Sequence, residues 1–301
     1  MVRENEPLSV LSDGKVIGRG ATSTVYLLPD ATVCKLFNPE FSLEEAERES
    51  RMTESAYSLG IRVPEPYGLV RFEDRVGLIS EYIEGESLAD VFAKEPERHE
   101  ELLTKYLEAL RRFHETKAGR ESFVSAKELY LEKLARLQGT DWYTQEELDK
   151  LEKLVRAVPD RDTLVYGDYH PKNILVKDSL LYFVDLGDTC TGHPVFDWAM
   201  IANTHRIIPS VNPAYAEEYF ALPAERMLRL WEDLFARYFA AYDAENRAVI
   251  EKGIMAFAVL RQGLSPADGR VFPEKILRAN VAVTRQKLLP GIDSICACLD
   301  W

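Results

Sequence analysis

The change in hydrophobic pattern near Glu84-Gly85 restricts the fold of this chain more than any other feature. Before that point, β-favouring runs separated by turn residues predict short strands, at Val16–Ile17, Val25–Leu28, Thr32–Phe37, Leu69–Phe72 and Val76–Tyr82. After it, apolar residues recur at helical spacing, as at Leu102, Leu103, Tyr106, Leu107, Leu110 and Phe113. We therefore expect an α+β fold with a strand-rich lobe over residues 1–84 and a larger helical lobe over residues 85–301.

One helix is expected within the strand-rich lobe. Ser42 can cap its first turn, and Glu45 follows three residues later, as in a capping box. The helix should continue to about Leu59, because Gly60 favours its end. In the second lobe, two short apolar strands are expected on either side of a polar loop, and almost everything from Phe196 onward should be helical.

Composition excludes several classes of function. The 301 residues are 46% hydrophobic, which is ample for a sizeable core, and the formal net charge of −13 argues against a nucleic-acid partner. No apolar run is long enough to span a membrane, and the polar segment Met1–Pro7 lacks the apolar stretch of a signal peptide. The cysteines show no C-x-x-C spacing, so we expect reduced thiols in a cytoplasmic protein: Cys34, Cys190, Cys296 and Cys298.

The first candidate for chemistry is the turn that contains Gly18, Gly20 and Ser23, between two predicted strands. Glycines let the backbone approach a polyphosphate closely and direct N–H groups toward it. The turn is not a Walker P-loop, because no G-K-[ST] follows, and it is not a Rossmann fingerprint, because a strand rather than a helix comes next. By itself the pattern is also compatible with an ordinary hairpin.

The second candidate is Lys35, which lies within the apolar strand Val33–Phe37. A buried ammonium without a partner is very costly, so Lys35 either faces outward from an edge strand or pairs with a carboxylate. The following helix carries several carboxylates, and Glu49 is our choice of partner.

The third candidate is a set of three polar residues whose spacing favours phosphoryl transfer over the other interpretations. A predicted strand, Leu164–Tyr166, leads to Asp168, Asn173 stands five residues later, and a second predicted strand, Leu181–Val184, leads to Asp185. Phosphoryl transfer needs a carboxylate to orient the attacking hydroxyl and oxygen ligands for magnesium. We expect these three side chains to emerge from adjacent strand ends and to meet that requirement.

At these residues the chain resembles the aminoglycoside phosphotransferase and choline kinase superfamily, whose fold is protein-kinase-like, with a small antiparallel sheet in the N-lobe. The superfamily loop typically reads H-G-D-x-H-x-x-N and is followed by an I-D-W/F-x-D strand. Here the corresponding stretches are Tyr166–Asn173 and Val184–Asp188. The resemblance extends from the Gly-rich turn to about Ala202, and beyond that the chain matches only in its helical character.

The resemblance implies an enzyme that uses ATP and Mg²⁺. Asp168 would be the catalytic base, and Asn173 and Asp185 would hold the metal. Lys35, held by Glu49, would contact the α- and β-phosphates, and the backbone of Glu81–Ile83 would meet adenine. The turn with Gly18, Gly20 and Ser23 would cover the phosphates.

Three residues depart from the superfamily pattern. Tyr166 replaces the first histidine of the loop, which braces the loop rather than reacting. Ser23 stands where protein kinases have a third glycine. His193 replaces the first Asp of the G-D-P-x-x-D element, whose last residue is Asp197, expected to be structural. The other histidines outside the loop, His99, His114 and His205, are interpreted as surface or packing residues.

The sequence favours a kinase acting on a hydroxyl of a small molecule that is aminoglycoside-, choline- or sugar-like. A protein kinase is disfavoured, because few residues separate Asp185 from Phe196 and no A-P-E element follows. A catalytically inactive nucleotide-binding module remains an alternative. The acceptor should bind to the helical lobe, where Tyr215–Phe220 and Trp231–Asp233 form either an aromatic, acidic pocket or an ordinary helix surface.

Overall fold

The computed structural model describes residues 3–6, 11, 13–20, 22–269 and 272–301. Contacts divide the chain into two compact units, residues 1–91 with 172–189, and residues 92–171 with 190–301. Ala21, within the predicted phosphate turn, and Met1, Val2 and Pro7 of the polar N-terminal segment lie outside the described residues. The functional division at residues 84 and 85 stays a prediction.

A six-stranded sheet forms most of the first unit, in the order β1-β5-β6-β4-β3-β2. Its strands are β1 Arg3–Glu6, β2 Lys15–Arg19, β3 Ser23–Leu27, β4 Thr32–Phe37, β5 Pro66–Phe72 and β6 Arg75–Glu81. Neighbouring strands are antiparallel except β1, which runs parallel to β5. The five predicted strands are confirmed. Strand β1 was not predicted, because its sequence, Arg-Glu-Asn-Glu, has none of the β-branched or aromatic residues that mark a strand.

Helix α1, Leu43–Ser58, follows β4 and packs on β5 and β6. The predicted capping box is present, because the Ser42 hydroxyl accepts from the Glu45 amide and the Glu45 carboxylate accepts from the Ser42 amide. Leu59 is the C-cap, and Gly60 adopts a left-handed φ of 74°, which costs a glycine little. The buried face of this helix carries Glu49.

A second sheet in the first unit has the order β10-β9-β7, with β7 Glu86–Ser87, β9 Ile174–Lys177 and β10 Leu180–Phe183. Strands β9 and β10 form a hairpin whose two-residue turn, Asp178-Ser179, has φ angles of 49° and 61°. Positive φ at both turn residues matches the twist of the strands. Our sequence interpretation placed residues 174–177 in a loop and therefore missed this hairpin.

The second unit is mostly helical. Its principal helices are α3 His99–Glu115, α4 Ala126–Leu137, α5 Gln145–Arg156, α6 Val195–Ala202, α7 Ile208–Val211, α8 Pro213–Phe220, α9 Ala224–Tyr238, α10 Ala244–Gly263, α11 Glu274–Val283 and α12 Ile292–Cys296, and α2, Leu88–Lys94, spans the boundary between the units. A two-stranded sheet pairs β8, Leu164–Val165, with β11, Cys190–Thr191. Within the described part of the chain, no helix combines the length and hydropathy that a membrane crossing would require.

Candidate active site

A charged cluster in the first unit joins Lys35 with two carboxylates. Lys35 Nζ lies 2.6 Å from Oε1 of Glu49 and 3.0 Å from Oδ1 of Asp185. Burial would lower the pKa of Lys35, but the two carboxylates outweigh that effect and raise the pKa above its usual range. Burial raises the pKa of Glu49, and the attraction of Lys35 opposes this shift only in part. The ammonium is therefore charged, and the contact predicted with Glu49 is present.

Local structure explains why these three side chains meet. Lys35 lies at the centre of β4, opposite Leu78 of β6, and Glu49 projects from the buried face of α1. Asp185 has a φ of 63°, a left-handed conformation that is unusual outside glycine and that Asp tolerates better than most residues. Two residues later, a Cβ added to Gly187 would lie 3.1 Å from Glu49 Oε2, so glycine permits this close approach.

Asn173 and Asp185 lie at the same end of the β9–β10 hairpin. The amide of Val184 donates to the carbonyl oxygen of Asn173 at 3.0 Å, and Asp185 is the next residue. An amide oxygen and a carboxylate are hard oxygen donors, and Mg²⁺ commonly takes one or two such protein ligands together with nucleotide phosphates. These two residues therefore fit a magnesium site. In the described ranges, no group of three or more His, Cys, Asp and Glu side chains could hold a metal by itself.

The hairpin corrects one expectation. We expected Asp168, Asn173 and Asp185 to emerge from adjacent strand ends. Asp168 instead follows β8, which pairs with β11 in a different sheet, and Asn173 precedes a strand rather than following one. The prediction was wrong because the short run Ile174–Lys177 was assigned to the loop.

The Gly-rich turn connects β2 and β3. Gly18 pairs with Val25 across the ladder, the Gly20 amide donates to the carbonyl oxygen of Ser23 at 2.9 Å, and the Ser23 side chain is buried. Neither glycine has a left-handed φ, and a Cβ added to either would meet its nearest atoms only at ordinary contact distance, 3.6 Å or more. The packing of this turn therefore does not require glycine at either position. Close approach of a ligand to the backbone is a reason for glycine there.

Glu81 and Ile83 lie at and just beyond the end of β6. The Glu81 amide donates to the carbonyl oxygen of Glu65 at 2.9 Å, so this N–H is already used within the fold. Ile83 is buried. Of the two residues predicted to meet adenine, Ile83 is therefore the better candidate to present its backbone N–H.

Asp168 belongs to the second unit, in the loop that follows β8. The Nε2 atom of His170 lies 3.3 Å from Oδ2 of Asp168, and the side chain of His170 is 3% exposed. This contact restrains the orientation of the Asp168 carboxylate. Sequence reasoning gave His170 no role, although the position is part of the H-G-D-x-H-x-x-N pattern.

Asp197, on α6, holds the backbone just before Asp168. Its Oδ1 accepts from the amide of Gly167 at 2.7 Å, and its Oδ2 accepts from the amide of Tyr166 at 2.9 Å. The same Oδ2 lies 3.0 Å from Nε2 of His114. Asp197 is completely buried, in agreement with the structural role expected from the sequence.

The structure explains two of the departures from the family pattern. Tyr166 is fully buried and packs edge-on against Phe113, with ring centroids 5.4 Å apart, so it braces the loop through apolar contact. His193 accepts from the amide of Val195 at Nδ1 and donates from Nε2 to the carbonyl oxygen of Trp301. Burial lowers the pKa of His193 to about 4, so the ring is neutral at physiological pH.

The aromatic residues considered for the acceptor pocket divide into two groups. Trp231 is buried and packs edge-on against Trp198, so it belongs to the core of the second unit. Tyr215 and Tyr219 are exposed on α8 and stack on each other with centroids 5.7 Å apart. The ring of Tyr219 also lies 6.2 Å from that of His170, close to the residue that contacts Asp168.

Solved structures with the same fold include several phosphotransferases. One is the amicoumacin kinase hAmiN in complex with AMP-PNP, Ca²⁺ and Ami, with a TM-score of 0.63 and 14% identity over 92% of this chain and 90% of that chain. A choline/ethanolamine kinase family protein from Mesorhizobium loti has a TM-score of 0.59 and 15% identity over 95% of this chain and 92% of that chain. The streptomycin-ATP-APH(2″)-IIa ternary complex has a TM-score of 0.57 and 16% identity over 95% of each chain.

These likenesses confirm the α+β, protein-kinase-like fold that the sequence resemblance implied. No curated protein matches the sequence significantly. The model of the APH family, described as the phosphotransferase enzyme family, matches residues 13–231, which include every residue of the candidate site. That match covers well over half of the chain, and the chain therefore belongs to the APH phosphotransferase enzyme family.

Proposed function

We propose that the protein transfers the γ-phosphoryl group of ATP, with Mg²⁺, to a hydroxyl group of a small molecule. The observation that carries this proposal is the contact of Lys35 with both Glu49 and Asp185, at the end of the hairpin that also carries Asn173. A buried, charged lysine beside two oxygen donors for a metal is suited to binding a polyphosphate.

The first unit would bind the nucleotide. Lys35 would neutralise the α- and β-phosphates, and Glu49 would keep its ammonium in place. The turn with Gly18, Gly20 and Ser23 would bring backbone N–H groups to the phosphates, and the backbone at Glu81–Ile83 would receive adenine. Asn173 and Asp185 would hold Mg²⁺, which supplies neutralisation of charge on the phosphate oxygens when bound.

Asp168 would act on the acceptor. Its carboxylate would orient the acceptor hydroxyl and take its proton as the oxygen forms a bond to the γ-phosphorus. The bond from that phosphorus to the β,γ-bridging oxygen breaks, its electron pair leaves with ADP, and the proton later passes from Asp168 to water. The contact of His170 with Oδ2 and the two amide bonds to Asp197 would keep the loop of Asp168 in one arrangement.

The acceptor is proposed to be a small molecule because the segment after Asp185 is short. Helix α6 begins at Val195, which leaves too few residues for the long peptide-binding segment that protein kinases build there. The exposed pair Tyr215 and Tyr219, beside His170, offers aromatic surface near Asp168.

Substrate-dependent release of ADP tests the proposal. The protein is incubated with ATP and Mg²⁺ and a panel of aminoglycosides, aminoalcohols, sugars and other small alcohols, with Asp168→Asn as the control. We expect ADP release that depends on one class of alcohol and is lost in the control. ATP-dependent thermal stabilisation without turnover on any acceptor would instead favour the inactive nucleotide-binding module.

A further inference from the structure

Tyr238 extends the network of Asp197 by one step. The hydroxyl of Tyr238, at the end of α9, lies 2.7 Å from Nδ1 of His114, and Nε2 of the same ring lies 3.0 Å from Asp197 Oδ2. The His114 side chain is 3% exposed and that of Asp197 is not exposed at all. A continuous chain of hydrogen bonds therefore leads from Tyr238 to the amides of Tyr166 and Gly167, the residues immediately before Asp168.

The protons in this chain can be assigned from donor and acceptor capacity. The carboxylate oxygens of Asp197 accept hydrogen bonds from two amides, and Oδ2 also faces Nε2 of His114, so that ring nitrogen carries the proton of their contact. The contacts of the described residues give the Tyr238 hydroxyl no acceptor other than Nδ1 of His114. Tyr238 therefore donates to Nδ1, which assigns the Nε2–H tautomer to His114.

The surrounding charges agree with that assignment. The Arg111 guanidinium lies 5.7 Å above the Tyr238 ring and disfavours a second positive charge beside it. The charge of Arg161 lowers the pKa of Tyr238, whereas the negative charges of Asp197 and Glu115 raise it. His193 is a further ionisable neighbour of His114. Burial raises the pKa of Tyr238, so its hydroxyl keeps the proton that it donates.

We propose that Tyr238 is a positioning residue for the catalytic loop, which acts by holding His114 in the neutral Nε2–H tautomer. Asp197 then keeps its full negative charge for the amides of Tyr166 and Gly167. The proposal rests on the proposed function of Asp168, because the geometry that it protects is that of the loop carrying this residue. Tyr238 touches no reacting group.

Removal of one oxygen atom tests this chain of contacts. In Tyr238→Phe, Nδ1 of His114 loses its donor in a buried site, so the ring is no longer held in one orientation and one tautomer. Its Nε2–H then supports Oδ2 of Asp197 less well, and the carboxylate holds the loop amides less firmly. We expect kcat to fall by about tenfold, the scale of a modest misplacement of catalytic groups, with no change in stabilisation by ATP and Mg²⁺.

The matched control is Tyr242→Phe, which removes a hydroxyl from an exposed tyrosine just beyond α9. It should retain the wild-type kcat. Circular dichroism and the thermal midpoint establish that both variants are folded. A wild-type kcat in folded Tyr238→Phe would overturn the proposal.

Nitrogen NMR of histidine reads the tautomer without any turnover, so it separates this proposal from the proposed enzymatic function. The chain has five histidines, and the signals of His114 are assigned by their loss in His114→Gln. We expect an unprotonated Nδ1 and a protonated Nε2 at neutral pH in the wild type, and loss of this single tautomer in Tyr238→Phe at the same pH. A charged ring or an Nδ1–H tautomer in the wild type would overturn the assignment even if no acceptor were found or the variant failed to fold.

Discussion

Lys35 Nζ and Asp185 Oδ1 lie 3.0 Å apart, although 150 positions separate the two residues in the sequence. The contact is made on one side by a buried strand of the six-stranded sheet and on the other by the residue after a short hairpin. Asp185 is half exposed, whereas Glu49 is almost fully buried, so the ammonium is held more firmly on the Glu49 side. This asymmetry leaves the Asp185 carboxylate better placed to exchange its contact for a metal ion.

The Lys35–Glu49 pair should show strong energetic coupling. Lys35→Met leaves the Glu49 carboxylate buried without its closest cation, and we expect a loss of about 3 kcal/mol in the free energy of unfolding. Adding Glu49→Gln to that variant removes the buried charge and should recover at least half of the loss. Urea unfolding of the two single variants and the double variant measures the coupling. Strictly additive losses would show that the pair is not coupled.

Asp185→Asn should remove the stabilisation that magnesium adds to ATP binding. The amide keeps the size of the side chain and tolerates the left-handed φ of 63°, so the hairpin should remain folded while one charged metal ligand is lost. Calorimetry with ATP, with and without Mg²⁺, measures the effect. The matched control is Asp178→Asn, which makes the same change at the turn of the same hairpin, where φ is 49°. An unchanged magnesium dependence in Asp185→Asn would contradict the metal site.

Much of the fold could be predicted because its signals are local. The capping box of Ser42 and Glu45 and the hydrophobic periodicity of α3 depend on neighbouring residues in the sequence. Strand β1 could not be predicted from its pattern, because its sequence is polar, and β9 was missed because its four residues directly follow the polar loop and were assigned to it, although β10 is equally short. Their formation depends on partners, β5 and β10, that complete the hydrogen bonds.

In the candidate site, too, the contacts that could be predicted are those with a signal nearby in the sequence. The contact of Lys35 with Glu49 was predicted because a buried lysine needs a carboxylate and the next helix offered one. The contacts of His114 with Asp197 and Tyr238 were missed, because they join residues more than eighty positions apart and no local pattern marks them. Pairing of distant polar residues is a property of the packed helices rather than of any one segment.

Asp168→Asn should lower turnover by roughly a hundredfold or more, which is the scale of general-base catalysis, once an acceptor has been found. The amide retains the size of the side chain but cannot accept the proton of the attacking hydroxyl. Binding of ATP and Mg²⁺, measured by calorimetry, should be nearly unchanged. A variant that keeps most of its rate with an active acceptor would show that Asp168 is not the base.

His205 should make the protein sensitive to mild acid. Its ring is fully buried, lies 2.7 Å from the Thr204 hydroxyl and stacks on Tyr106, and burial lowers its pKa from 6.5 to about 3. The folded state therefore binds this proton less readily than the unfolded state. The stability contributed by the neutral ring is complete above pH 6.5 and is lost progressively as the pH falls toward 3.

Between pH 7 and pH 5, this difference in proton binding should cost the wild-type protein about 2 kcal/mol. In His205→Gln the side chain cannot titrate, so the pH dependence of the unfolding free energy should become shallower by that amount, whatever the effect on stability at pH 7. Urea unfolding at pH 7, 6 and 5 measures both slopes. Parallel wild-type and His205→Gln curves would show that His205 accepts a proton in the folded protein as readily as in the unfolded chain.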